Sequence, residues 1–100
     1  MNGASKLADV TPAEIVRRAY LQITGGKYVG RVLLKDLRPL LSPLSRQQQD
    51  AAFLALIRSG EADFYPEDDP MSRGPEDDAA ALHLADHRRH LLYLHPEPRT

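Results

Sequence analysis

The sequence predicts a single α+β domain, helices first and a small antiparallel sheet after them, and three observations carry that prediction. Residues 44–60 read as a helix with cap chemistry at both ends, residues 61–65 alternate polar and apolar as a half-buried strand does, and a second helix start stands at Thr11. One hundred residues, 42% of them apolar, supply one core and too few side chains for two.

Taken in order, residues 1–10 lack periodicity and mix Gly, Ser, Lys and Asp, which predicts a flexible N-terminal arm. Thr11, Pro12 and Glu14 are an N-cap, a first-turn proline and a capping-box acid, so the first helix begins there. Ile15, Ala19, Leu21 and Ile23 are expected to face inward, with Arg17 and Arg18 outward, and Gly25-Gly26 ends the helix. Residues 30–34 allow a very short strand. The apolar positions 33, 34, 37, 40 and 41 suit a second helix, which Pro39 must shorten or distort because it deletes a hydrogen bond.

Ser42-Pro43 turns the chain into the central helix. There Ser45 and Gln48 form a capping box, Leu44 holds the staple position, and Ala52, Phe53, Leu56 and Ile57 mark the buried face. Arg58 complements the C-terminal dipole and Gly60 supplies a left-handed cap. The expected core sets Phe53, Leu56 and Ile57 against Leu37, Leu40, Ile15 and the inner sides of the strands.

Pro66 stops the strand at 61–65, and residues 67–74 read as an acidic loop. Pro75, followed by Glu76, Asp77 and Asp78 on the positive end of a helix dipole, predicts a short helix that Ala79 to Leu84 can continue. Residues 90–95 are the last strand, and residues 96–100, with Pro96 and Pro98, are an extended, frayed tail. The domain thus spans 11–95.

Without cysteine there is no disulfide framework and no thiolate metal site, which points to a reducing, cytoplasmic setting. The longest uncharged apolar run, 51–57, is far below a membrane span, so no membrane partner is expected. Net charge is −1, yet residues 1–60 hold nine Lys/Arg against four acids and residues 61–100 hold four against ten. Such polarity marks a nucleic-acid face opposite an acidic one, two molecules stacking head to tail, or ordinary surface drift.

The element order and the run 30–66 resemble the winged helix-turn-helix family. The resemblance rests on Arg31 to Leu37 leading into helix two, the Ser45-led third helix, the Gly60 cap, and a strand ending in Tyr65 before Pro66. It implies three helices, a small antiparallel sheet, and a long wing at 66–89 that carries the short extra helix. It also implies a non-enzymatic, DNA-binding regulator of transcription, homodimeric, with no cofactor. Carried onto this chain, Arg46, Gln47 and Asp50 would read double-stranded DNA, with Lys35, Arg38, Arg17 and Arg18 on phosphate.

Two features depart from that pattern. The wing holds Glu67, Asp68, Asp69, Glu76, Asp77, Asp78 and Asp86 against only Arg73, Arg88 and Arg89, and would repel phosphate. The outer side of the third helix offers Ala51, Leu54 and Ala55, a surface suited to protein. A protein-interaction module of the same fold, using that face or Glu67, Asp68 and Asp69, therefore stands as the alternative.

Other chemistry is thin. His83 and His87 would share a helix face if the short helix reached them, but the accompanying acid of a zinc hydrolase is missing, and His87 and His90 read as solvated polar flanks of the last strand. The acidic triplets lack the spacing of a calcium loop. Gly25-Gly26-Lys27 lacks the rest of a phosphate loop, none of the serines sits in a nucleophile elbow, and the tyrosines suit half-buried packing. Neither a metal nor a catalytic residue is assigned.

Overall fold

The computed structural model describes residues 10–85 and 87–98. Residues 1–9 of the proposed arm at 1–10, the wing acid Asp86 and the last two residues of the tail lie outside them. The elements run α1 (Pro12–Thr24), β1 (Val32–Leu33), α2 (Leu34–Leu37), a 3-10 turn (Arg38–Leu41), α3 (Arg46–Arg58) and β2 (Ala62–Tyr65). They continue with α4 (Pro75–Ala80), β3 (Leu82–Leu84), β4 (His87–Arg89) and β5 (Leu91–Leu94).

Cap chemistry sets the helix ends. Thr11 Oγ1 accepts from the Glu14 amide at 3.1 Å, and the Ser45 and Gln48 side chains complete a reciprocal box at 3.1 and 2.8 Å. After α3, Gly60 takes φ +78°, its amide donates to Ile57 O at 3.1 Å, and the Glu61 amide reaches Leu56 O at 2.9 Å. These two bonds satisfy carbonyls the helix leaves open and turn the chain directly into β2. The staple position works differently from expectation: opposite Leu44 stands Gln49, whose amide donates to Leu44 O at 3.0 Å.

Helix two is short and distorted, as Pro39 requires. One α-turn gives way to a 3-10 turn, which keeps Leu34, Leu37 and Leu41 buried and swings Leu40 out to 37% exposure. Leu40 is therefore not the core residue that spacing predicts. The centre of the α1 face also differs. Val16, Ala19 and Tyr20 are fully inside, Ile15 is half-buried and Ile23 is exposed, because Tyr20 anchors the helix through a 2.7 Å hydrogen bond to Gly30 O.

β5 is the middle strand of a three-stranded antiparallel sheet, ordered β1-β5-β2. Its register places Leu92 beside Val32 and Phe64, and Leu94 beside Ala62, all on the inner face. Phe53 of α3 meets Phe64 with ring centroids 5.2 Å apart, and Leu56, Leu37, Leu41, Tyr20 and Val16 close the core around them.

Between β2 and β5 the described residues include a further helix and a hairpin. α4 starts at Pro75 as its signal predicts, but it ends at Ala80, and Leu82–Leu84 pairs with His87–Arg89 as a hairpin rather than extending the helix. Ala80, Ala81 and Leu82 are buried, so this segment contributes to the core. Leu82 is worth more packed against the domain than on a continued solvent-bound helix, and that tertiary gain overrides local helix propensity.

Candidate functional site

The residues expected to meet DNA cluster near the start of α3, and the structure gives most of them internal partners. Arg38 is the hub. Its Nε donates to Ala80 O at 2.6 Å, Nη1 to Gln49 Oε1 at 2.9 Å and Nη2 to Asp50 Oδ1 at 2.8 Å, with the guanidinium 5.1 Å from the Phe53 ring centre. The Arg38 side chain is only 9% exposed. Burial pulls its guanidinium below the ordinary arginine value and Asp50 opposes that, so the group remains a cation near neutral pH.

Arg46 does a parallel job one helical turn before Asp50. Its Nη2 donates to Ala81 O at 3.0 Å while Nε lies 3.6 Å from Asp50 Oδ1. Two arginines thus hold the last carbonyls of α4, groups a helix end leaves without partners. Lys35 sits 3.6 Å from Asp77, a buried carboxylate that also accepts from the Gly74 amide at 2.8 Å. The clamp pins α4 and the residue after it to α2, to the 3-10 turn and to the first turn of α3.

Arg17, expected to point outward, is instead tied into the fold by Glu61, by the Tyr28 hydroxyl at 3.2 Å and by His95 O at 3.2 Å. Arg18 is exposed, 3.7 Å from Glu14, and Gln47 is exposed. Of the candidate phosphate contacts, Arg18 alone keeps an open side chain. The reason is the same throughout: a guanidinium next to a carbonyl or carboxylate inside the fold is held by charge-assisted bonds that free phosphate would have to displace.

The acids of the wing loop also brace their own turn, through bonds from neutral amides and a hydroxyl that leave their negative charge in place. Asp69 organises its own turn, accepting from the Met71 amide at 3.0 Å and the Ser72 hydroxyl at 2.9 Å, and Glu67 accepts from the Asp69 amide at 3.2 Å. Asp68 stays exposed. Asp77 is 2% exposed, where sequence offered no sign of a buried carboxylate.

His90 was missed as well. It is buried, its Nδ1 accepts from the Glu67 amide at 2.9 Å, and Nε2 therefore carries the ring proton toward Asp78 Oδ1 at 2.9 Å. Its backbone continues the sheet, with His90 N on Tyr65 O at 2.7 Å and Leu34 N on His90 O at 2.9 Å. One residue thus joins β2, α2, the loop and α4. A buried histidine in an apolar-flanked strand is not distinguishable in sequence from an exposed one.

The Asp78 carboxyl is held below the usual carboxylate range, first by the His90 hydrogen bond and then by Arg73 and Arg88. A lowered folded value contributes stability that is fully present above the unfolded pKa of about 4 and is lost as pH falls through the folded value. Asp78→Asn keeps an acceptor for His90 and removes the charge. Its Tm is expected below wild type at pH 7, with the gap closing as the solution is acidified below about pH 4. A gap that stays constant from pH 7 to pH 2 would contradict the role given to Asp78.

Two surface clefts flank these elements. One, about 340 Å³, lies between the start of α1 and the outer face of α3, and is lined by Pro12, Ala13, Ala51, Ala52 and Ala55 with the stems of Thr11 and Gln48. Ala51 and Ala55 are exposed and Leu54 is half-buried beside them. The other, about 550 Å³, lies between the loop after β2 and strand β4.

No protein-family model, curated protein or solved structure matches this chain.

The histidines do not converge. His83 and His87 occupy opposite strands of the hairpin, with His83 paired to Arg88 and His87 to Leu84, so they project from opposite faces. His95 is engaged with Asp63 at 2.9 Å. Among the described residues no group of three or more His, Asp or Glu side chains is arranged to hold a metal ion. No described helix is long and apolar enough to cross a membrane.

Proposed function

We propose that this chain is a non-enzymatic winged-helix module that docks on a protein through the outer face of α3 and the adjoining start of α1. The winged-helix reading is supported by helix, short strand, helix, helix, strand, wing and strand in that order, with the strand after the wing central in the sheet. The docking reading is carried by one observation: Arg38 and Arg46 are bonded to the α4 carbonyls at 2.6 and 3.0 Å, so the cations at the reading end of α3 already have partners. Duplex affinity depends on the number of phosphates neutralised, and a face left with Arg18 and a half-engaged Arg46 neutralises few.

The groove is the complement of that loss. Alanines at 51, 52 and 55 let a partner's backbone come close and leave room for its apolar side chains, as in helix-in-groove recognition. Double-stranded DNA remains the second reading, favoured by the exposed Arg88, His83 and His87 on the hairpin and by exposed Gln47 on α3.

The double variant Ala51→Asp, Ala55→Asp is expected to lose a partner captured from a lysate of the host cell, while Asp68→Asn, Asp69→Asn retains it. A partner held equally by both variants rejects the groove. Random duplex DNA titrated at about 50 mM salt, where the phosphate contribution is strong, is expected to bind weakly with a shallow salt slope. Tight binding with a steep slope, weakened by Arg46→Ala, would favour the DNA reading over docking.

A further inference from the structure

We propose that the cleft between the 66–73 loop and β4 is a phosphate site that takes one phosphate group, free or on a small monoester. This inference is independent of the docking face on α3. Arg73, Arg88 and Arg89 line the cleft together with His87, and its volume of about 550 Å³ is that of a small-molecule pocket.

The case rests on an excess of donors. Each guanidinium carries five N–H groups in a fixed fork. Around this cleft Arg73 gives one long hydrogen bond, 3.4 Å to Glu67 O, and among the described residues Arg73 and Arg88 otherwise face Asp78, at 3.6 and 3.5 Å. Asp78 is already the acceptor for His90 at 2.9 Å. The Arg89 Nε is buried with no acceptor at all among the described residues. That atom has no open surface for a ligand to reach, so the donors that face the cleft are those of Arg73 and Arg88, whose side chains are exposed.

Phosphate fits this set better than a carboxylate because its oxygens can receive more than one guanidinium fork at once. A single phosphate also fits better than a nucleic-acid backbone. Asp68 stands on the rim, and Glu67 and Asp69 occupy the same loop, so the next phosphate of a polyanion would meet carboxylates.

The test is a titration of the full chain with inorganic phosphate at constant ionic strength, reading the arginine Nε–H resonances by NMR. Saturable shifts at Arg73 and Arg88 are expected, with a Kd on the order of 1 mM or tighter, and phenyl phosphate is expected to give the same pattern. Arg88→Gln, whose side chain is 54% exposed and whose loss leaves the core intact, should weaken binding about tenfold. Arg18→Gln, far from the cleft, should leave it unchanged. Shifts that rise linearly without saturating, or that chloride reproduces, overturn the proposal. Duplex DNA binding more tightly than phosphate and lost in Arg88→Gln would overturn the monoester in favour of a nucleic-acid backbone.

Discussion

Phe53→Ala is expected to lower the unfolding free energy by about 3 to 5 kcal/mol, a large share of the ~5 to 15 kcal/mol a domain of this size has. Phe53 is fully buried, stacks at a tilt on Phe64 and lies under the Arg38 guanidinium, so truncation removes contacts to the sheet, to α2 and to the clamp together. Leu40→Ala is the matched control. Spacing puts Leu40 in the core and the structure exposes it, so its cost should stay within about 1 kcal/mol. Urea denaturation of the two variants checks both, and equal midpoint shifts would contradict the packing described for α2 and α3.

Arg38→Ala is expected to cost about 2 to 4 kcal/mol, somewhat below a fully buried ion pair because Asp50, at 37% exposure, can rehydrate. What cannot rehydrate easily is Ala80 O and the Gln49 amide oxygen, which lose their donors at the buried end of the clamp. The inserted segment should loosen before the rest of the domain. Amide hydrogen exchange in α4 should then accelerate more than in α1, and Arg38→Lys should restore only part of the protection, since one ammonium does not span three acceptors. Uniform acceleration across the chain would mean that Arg38 supports the core in general and not the attachment of α4.

The largest features of the fold were legible because they are local. A cap is a contact over three residues, so Thr11 with Glu14 and Ser45 with Gln48 announce where α1 and α3 begin, and Gly60 announces where α3 must turn. The alternation at 61–65 is equally local, and Ala62 and Phe64 do face inward while Asp63 and Tyr65 do not. Pro39 removes a helix hydrogen bond whatever surrounds it, so the distortion of helix two needed no tertiary information.

The fate of the charges depended on tertiary contacts. Arg38 meets Ala80, Lys35 meets Asp77 and Arg17 meets Glu61 and His95, each partner more than forty residues away along the chain. The fold turned these apparent surface cations into internal fasteners and one of the helix-start acids, Asp77, into a buried one. It also ended α4 at Ala80 and paired 82–84 with 87–89, where composition allowed the helix to run on to Leu84. Helix boundaries follow from neighbours along the chain, but whether a charged group faces water or a carbonyl follows from which distant segment packs against it, and the candidate sites were read from those charges.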